Sequence, residues 1–498
     1  MITAKQLVRR GSSYDDESQV RKTITGKMED ILQHKLPIEL KDVFKKTDNK
    51  RKRVLIEGAP GCGKSTLSLD ICHQWTDGEL FQEYKLVILV RLREPVVQGA
   101  KTIADMLPRQ DEAMGKEIET LITASNGEGI LFVIDGWDEL SRTVPGYSVI
   151  QRLLEGTLLP ACSVIITSRP TSSANIHKFV SSRIEVLGFT RNELQQYFIS
   201  CLENDAKAAN TLLERIQENP AVAGSCYLPL NASILVHLFK CADNLLPTTQ
   251  YEIFSLLICN CIFRHLKRTW QEDISGVTSL DNLPQNIKDP FQRICEIAYR
   301  GVMDDKVSFE LESGFNTLGL LQGVESFAIC GMSHSYNFLH LSIQELLAAI
   351  HIATRLEASE QVAQFRELFG QARFSAVFQF YAAKTKLKTA GISDVVVQVV
   401  EKCSVECHKI DDKNRLLPLL NCLYEAQDSP LCQSVLDRLG PKLNLQDVSL
   451  NPCDCLSVGY FITHAKHNYK VNLVNCSIGA EGCKTLFRKG KTFHLVHL

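Results

Sequence analysis

Gly58-Ala59-Pro60-Gly61-Cys62-Gly63-Lys64-Ser65, followed by Thr66, is the stretch that decides the fold class. The spacing G-x-x-x-x-G-K-[ST] is complete. It follows an apolar run, Val54–Ile56, and precedes a segment with helical periodicity, Leu67–Trp75. Strand, glycine loop and helix in that order are the context in which this motif binds phosphate. The glycines let backbone N–H groups turn inward onto phosphate oxygens. Lys64 supplies a point charge near the β- and γ-phosphates, and the Ser65 hydroxyl a magnesium ligand. The helix aims its positive N-terminus at the same anion. Gly58 through Thr66 are therefore the expected cradle for ATP or ADP with Mg²⁺. Cys62 occupies a variable position, where a tolerated small residue is the plainer reading than a redox-sensitive thiol.

Outward from the loop, the next chemical feature is Ile130-Leu-Phe-Val-Ile-Asp135-Gly-Trp-Asp138-Glu139. An apolar strand delivers Asp135 at its C-terminal edge, where ligands sit in an open α/β sheet. Asp135 is expected to hold the metal with Ser65. Asp138 or Glu139 is placed to polarise a water for attack on the γ-phosphate. A further strand ends Ile165-Ile-Thr167-Ser168-Arg169-Pro170. A guanidinium at that edge can sense the γ-phosphate through a charge-assisted bond. Between residues 54 and 190 short β-rich runs alternate with helical stretches, with strands read at Val54–Ile56, Leu86–Arg91, Ile130–Ile134, Val164–Thr167 and Arg183–Val186. The expectation is an α/β P-loop core, a parallel sheet with helices on both faces. One strand, Leu86–Arg91, separates the two Walker strands in sequence. That order suits the P-loop branch with an additional strand between them in the sheet.

At 498 residues the chain exceeds one domain. Lys and Arg number 55 against 57 Asp and Glu, so no global field calls for nucleic acid or an anionic membrane. Met1–Arg10 has charges but no apolar signal-peptide region, and no run approaches the ~20 apolar residues of a membrane helix. The 18 cysteines are scattered, many in apolar helical runs, and read as reduced thiols of a cytoplasmic protein. Cys259-Asn-Cys261 and Cys453-Asp-Cys455 lack the second pair that a zinc site uses.

Residues 1–50 read as a polar leader with a weak helical pattern in Val20–Leu40. Lys45-Lys46 and Lys50-Arg-Lys-Arg53 form a basic cluster, a solvated linker or, alternatively, a nuclear signal. From Thr190 to about Leu439 the pattern is helical. Thr190-Arg-Asn-Glu193 is a capping-box signature. Pro229, Pro247, Pro284, Pro290, Pro418 and Pro430 are read as breaks dividing that run into small subdomains. The tail repeats: Leu443-x-Leu445-x-x-Val448-x-Leu450 is echoed 28 residues on by Val471-x-Leu473-x-x-Cys476-x-Ile478, and a third strand starts at Leu495. That is a leucine-rich-repeat period, and a stack ending on a bare repeat reads as a fragment or truncated gene model.

Together these residues resemble the NACHT module of NOD-like receptors, whose Asp-Gly-x-Asp-Glu and Thr-Ser-Arg-Pro forms appear at Asp135–Glu139 and Thr167–Pro170. The resemblance spans roughly Val54 to the end. Cys226-Tyr-Leu-Pro229-Leu230 is similar to the family's helical segment whose proline packs on adenine. Phe338-Leu-His340-Leu-Ser-Ile-Gln344-Glu345-Leu-Leu-Ala-Ala349 is similar to its winged-helix signature, which implies that His340 contacts the β-phosphate of ADP and holds the receptor closed. Leu416–Gln427 resembles the second helical domain. The resemblance implies a leader over 1–50, a nucleotide-binding core over 51–190, helical domain 1 over 191–250, a winged helix over 251–350, helical domain 2 over 351–440 and partial repeats over 441–498. Only some fifty residues precede the loop, too few for the effector domain the family usually carries there.

The expected function is an ATP/ADP-operated signalling switch of the innate-immune type. ADP holds it closed; ATP exchange leads to a homo-oligomer, or to a hetero-oligomer with related receptors. Nucleic acid and membrane are not expected partners. Any hydrolysis is expected to be slow. The rival readings are an AAA-like motor or other turnover ATPase, and a receptor fragment that folds without signalling.

Overall fold

The computed structural model describes residues 7–9, 38–44, 52–106, 112–140, 144–169, 172–186, 188–218, 222, 226–241, 247, 249–269, 279–312, 315, 317–328, 331–405, 410–439, 442–446, 448–465, 470–474, 476–478, 482–483, 486 and 494–497. The basic residues 45–51, Pro170, and the helical pattern read at 20–37 lie outside them.

Six strands form the first sheet: β1 (Leu7–Arg9), β2 (Arg53–Gly58), β3 (Leu86–Arg91), β4 (Ile130–Asp135), β5 (Ser163–Ser168) and β6 (Ser182–Val186). Their order is β1-β6-β2-β5-β4-β3, with β1 antiparallel to β6 and the others parallel. The strand β5 therefore lies between β2, which feeds the phosphate loop, and β4, which carries Asp135. This is the additional-strand arrangement. Its physical consequence is that the ends of β2, β5 and β4 are adjacent, so Gly58, Arg169 and Asp135 emerge along one crevice.

Every residue of β2, β4 and β5 is buried. Parallel strands covered on both faces need continuous apolar sequence, and side chains alternate between the faces. Leu55, Phe132, Ile134, Val164 and Ile166 pack on one side with Ile150, Leu153 and Leu154. Val54, Ile56, Leu131, Val133 and Ile165 pack on the other with Leu67 and Ile71. Those partners come from helices α1 (Lys64–Thr76), on the second side, and α4 (Pro145–Glu155), on the first. Between them in sequence lie α2 (Pro95–Gly99) and α3 (Glu112–Ala124).

A helical body follows: α5 (Arg191–Cys201), α6 (Ala206–Glu218), α7 (Pro229–Cys241), α8 (Gln250–Thr269) and α9 (Gln285–Met303). The box at Thr190 forms: Glu193 N donates to Thr190 Oγ1 at 3.3 Å and Thr190 N to Glu193 Oε2 at 2.6 Å. A small antiparallel sheet, β7 (Ser308–Phe309), β8 (Leu321–Ala328) and β9 (Gly331–Phe338), leads into α10 (Leu341–Arg355). That helix runs through residue 350, where a domain boundary was expected. Then come α11 (Ala358–Leu368), α12 (Ser375–Thr385), α13 (Ile392–Val405), α14 (Ile410–Ala426) and α15 (Ser429–Leu439).

Two expected breaks are not breaks. Pro290 lies inside α9 and Pro418 inside α14. Each removes one backbone donor. Packing offsets the loss: Ile287, Phe291, Ile294 and Cys295 are buried around the first, and Leu416, Leu419, Leu420 and Leu423 around the second.

The terminal repeat appears as register. Strand β10 (Lys442–Asn444) pairs in parallel with β12 (Lys470–Asn472), Leu443 opposite Val471, and β12 with β14 (His494–His497). A shorter pair, β11 (Ser449–Leu450) and β13 (Ser477–Ile478), repeats the 28-residue offset, with α16 (Pro452–Thr463) between the layers. The described cysteines are free thiols. Among the described residues no helix is long and apolar enough to cross a membrane, and no cluster of His, Cys, Asp and Glu could hold a metal by itself.

Candidate functional site

The phosphate loop owes its shape to two left-handed glycines. Gly61 has φ +76° and Gly63, which precedes the first turn of α1, has φ +92°. Side chains rarely adopt that conformation. Gly58 is required for a different reason: a Cβ there would lie 2.4 Å from the buried Cys62 Sγ. Cys62 is fully buried and packs with the α1 face of the sheet. Lys64 Nζ donates to the loop carbonyls of Gly58 at 2.8 Å and Ala59 at 3.1 Å. The ammonium is thereby held over the turn. Ser65 and Thr66 begin α1 with exposed side chains.

Asp135 is buried at the end of β4, and its Oδ1 accepts from Thr167 Oγ1 at 2.8 Å and Ser68 Oγ at 3.4 Å. Thr167 Oγ1 in turn accepts from Gly136 N at 2.9 Å. One hydroxyl thus orients the carboxylate and pairs the backbone that follows it. Arg169, two residues on, binds Asp138 twice: backbone N to Oδ1 at 3.0 Å and Nε to Oδ2 at 2.9 Å. Its Nη1 reaches Glu345 Oε1 at 2.7 Å. Burial opposes the charge on Arg169, but Glu345 and then Asp138 more than offset it, so its pKa is raised. Glu139 is pushed up to about 7, by burial first and then by Asp138. A carboxyl titrating near neutrality is suited to proton transfer. Of the two acids after the strand, Asp138 is committed to Arg169 and Glu139 is the one so tuned.

His340 arrives from α10, more than 200 residues away in sequence, as the residue preceding its first turn. Its Nδ1 accepts from Ser342 N at 3.1 Å. An accepting Nδ1 places the ring proton on Nε2. The ring's pKa is pushed down to about 3 by burial and then by the positive charges of Arg169, Lys64 and Arg93. The Arg169–Glu345 bond brings the start of α10 to the end of β5, and the ring there is a neutral imidazole with an Nε2–H to donate. Pro229 begins α7, and Leu230 N donates to Gly61 O at 3.1 Å, so the helix start rests on the loop.

The residues fit a nucleoside di- or triphosphate with its magnesium ion. The cradle offers backbone N–H groups and an ammonium for phosphate. Ser65 and Asp135 would supply oxygen donors of the kind a hard cation takes. Sequence reasoning gave no role to Thr167, Ser68, Arg93, Leu230 or Glu345. Thr167, Leu230 and Glu345 lie inside motifs it had quoted; Ser68 and Arg93 carry no sequence signal.

Sheet order, phosphate loop and strand-end acid define the class: an additional-strand P-loop NTPase. Residues 52–205 match the NACHT domain family. The chain therefore carries a NACHT domain and is similar to NOD-like receptors. It is 25% identical to mouse NACHT, LRR and PYD domains-containing protein 1a over 504 residues, covering 88% of this chain and 39% of that protein. It is 26% identical to human NACHT, LRR and PYD domains-containing protein 12 over 352 residues, covering 63% of this chain and 31% of that one. The chain thus spans about two-fifths or less of these relatives' lengths. A solved STAND (signal transduction ATPase with numerous domains) protein with a tetratricopeptide repeat sensor, from Pyrococcus horikoshii, aligns over 83% of this chain and 54% of its own at 12% identity, with a TM-score of 0.28.

Proposed function

We propose that this chain is a nucleotide-operated signalling switch, closed with ADP and opened by exchange for ATP. The observation that carries it is the shared crevice: α10, which His340 caps, is held to Arg169 at the end of β5 by Glu345, and the charges of Arg169 and Lys64 add to burial in lowering the His340 pKa. In this reading the His340 Nε2–H donates to a phosphate of bound ADP and α10 is held against the core. Exchange for ATP removes that differential contact, and the population shifts to an open form that associates with further copies or with related receptors.

The cradle is Gly58 through Thr66, with Lys64 on the phosphates and Pro229 against the adenine. Ser65 and Asp135 hold the magnesium ion, which supplies charge neutralisation on the phosphates. Arg169 senses the terminal phosphate. Glu139, tuned near 7, takes a proton from water in a slow hydrolysis that resets the switch. The units are a core over 51–190, helical regions over 191–250 and 351–440, a winged helix over 251–350, and partial leucine-rich repeats over 441–498. A cytoplasmic, innate-immune setting belongs to the same reading, as the resemblance to NOD-like receptors implies.

The test uses Lys64→Ala and His340→Ala in the full chain, with bound nucleotide identified by mass spectrometry and size by light scattering. Lys64→Ala is expected to lose nucleotide. His340→Ala is expected to lose ADP preference and to assemble. A His340→Ala protein that keeps its ADP affinity and stays monomeric refutes the lock.

A further inference from the structure

Arg169, at the end of β5, has partners from two separate parts of the chain. Asp138 lies on its own side, just past β4. Glu345 lies 176 residues away on α10, one and a half turns from His340. The side chain of Glu345 is 4% exposed and that of Arg169 14% exposed. Burial raises the carboxyl's pKa, and Arg169 is the largest influence drawing it back down. A charge buried this deeply depends on its partner, because removing one member of a buried pair leaves the other uncompensated. The guanidinium is a fork with separate edges: Nε serves Asp138 and Nη1 serves Glu345. The pair has room to rearrange. A cavity of about 60 Å³ lies beside it, lined by Asp138, Arg169, Lys306, Gln344, Glu345 and Arg373.

We propose that Glu345 is a specificity-determining residue for the nucleotide: its carboxylate occupies the Arg169 guanidinium as a competitor of the terminal phosphate. This rests on the switch reading above and names the group that makes ATP differ from ADP. With a diphosphate, Arg169 keeps Glu345 and α10 stays docked. With a triphosphate, a more highly charged anion competes for the Nη1 edge while Asp138 retains Nε. Glu345 is then left as an unpaired buried carboxylate, and α10 loses the contact that tied it to β5. His340 and Glu345 divide the work on one helix: the first recognises a phosphate both nucleotides share, the second competes with the one they do not.

The experiment is a double-mutant cycle on nucleotide-stripped full chain, with Glu345→Gln, Arg169→Gln and the double variant. Affinities for ADP and for a non-hydrolysable ATP analogue are measured by calorimetry, and α10 amide exchange in nucleotide-free protein by mass spectrometry. Glu345→Gln is expected to raise affinity for the analogue about tenfold, within the usual range of coupling between sites, and to leave ADP within about twofold. It should also speed exchange in α10 without any nucleotide present. In the Arg169→Gln background the same substitution should leave the analogue-to-ADP ratio unchanged and should slow α10 exchange, because it removes a carboxylate already left uncompensated. An analogue-to-ADP ratio that is unchanged by Glu345→Gln overturns the inference, as does a change in that ratio that persists without Arg169. Where Glu345→Gln fails to fold, Glu345→Asp keeps charge and burial but shortens the reach, and a smaller rise in the same ratio is expected; an unchanged ratio again overturns it. Wild-type protein that binds neither nucleotide overturns the parent reading and this one together; wild-type protein that binds both while the ratio ignores Glu345 overturns this one alone.

Discussion

Gly61 sits at φ +76°, and a Cβ there would lie 2.9 Å from Leu230 Cβ, against a helix start whose amide is bonded to the Gly61 carbonyl. Gly61→Ala therefore has two costs: about 1–2 kcal/mol for the left-handed backbone, and a displaced α7. The expected outcome is a lower melting temperature together with lost ADP binding, read by thermal unfolding and calorimetry. Thr167→Val isolates a second single-atom effect. It removes the donor to Asp135 Oδ1 and the acceptor of Gly136 N, both buried, and should cost roughly 1–3 kcal/mol in denaturant unfolding. Nucleotide affinity measured with magnesium should fall more than affinity measured with chelator, because the residue oriented is the carboxylate proposed to hold the metal. His340 gives a pH signature. Its folded pKa, about 3, lies below the ordinary value of 6.5, so between those limits the unfolded chain binds more protons. Stability present above pH 6.5 is lost as pH falls toward 3. At pH 5.5 the loss from this ring should be about 1 kcal/mol, and urea midpoints of His340→Gln should decline less than wild type between pH 7 and 5.5.

Elements show a different balance between local pattern and distant contact. Strand β4 is legible because a strand covered on both faces must read as an unbroken apolar run, as Ile130–Ile134 does. The start of α5 is legible because a capping box is closed by residues three apart. Helices α9 and α14 mislead because Pro290 and Pro418 argue locally for an end, while burial of their flanking apolar faces is decided elsewhere. The Arg169–Glu345 pair leaves no local trace at all; its members are separated by 176 residues. The start of α8 is a similar case. Its first amides, Gln250 N and Tyr251 N, donate to Glu425 Oε1 at 3.1 Å and Oε2 at 3.4 Å, across from α14. Burial pushes Glu425 up to about 7, against the pull of those amides. A raised carboxyl pKa means the folded chain binds the extra proton, so its contribution is full below the ordinary 4.5 and is lost as pH rises through about 7. Glu425→Gln mimics the protonated form. It should flatten the fall in melting temperature across that window, whereas Glu425→Ala, which uncaps α8, should lower it at every pH by the equivalent of about 1–3 kcal/mol.

Across the whole molecule the apolar packing is partitioned. One continuous core runs from Phe189 through the helical body and into the repeats as far as Leu486, while the two faces of the sheet hold separate cores. Tyr227, Leu228 and Cys453 are apolar contacts made with the α1 face by residues beyond the sheet. Polar links do the rest: Phe189 N to Tyr227 O at 2.7 Å, Leu230 N to Gly61 O at 3.1 Å, and the Arg169–Glu345 pair. The halves have separate main cores, so they need not unfold together. Nucleotide-free protein is expected to melt in two calorimetric steps. A ligand held by the loop on one side and by His340 on the other binds only the docked form, and it stabilises that form by RT ln(1 + [L]/Kd), about 2.7 kcal/mol at a hundredfold excess over Kd. ADP should therefore raise the lower step and merge it with the upper one. In His340→Ala, ADP should still raise the transition of the sheet but leave two steps, because the ligand then touches one half only. A single transition in wild-type protein both with and without ADP, or merging that survives loss of the imidazole, would show that the crevice does not couple the halves.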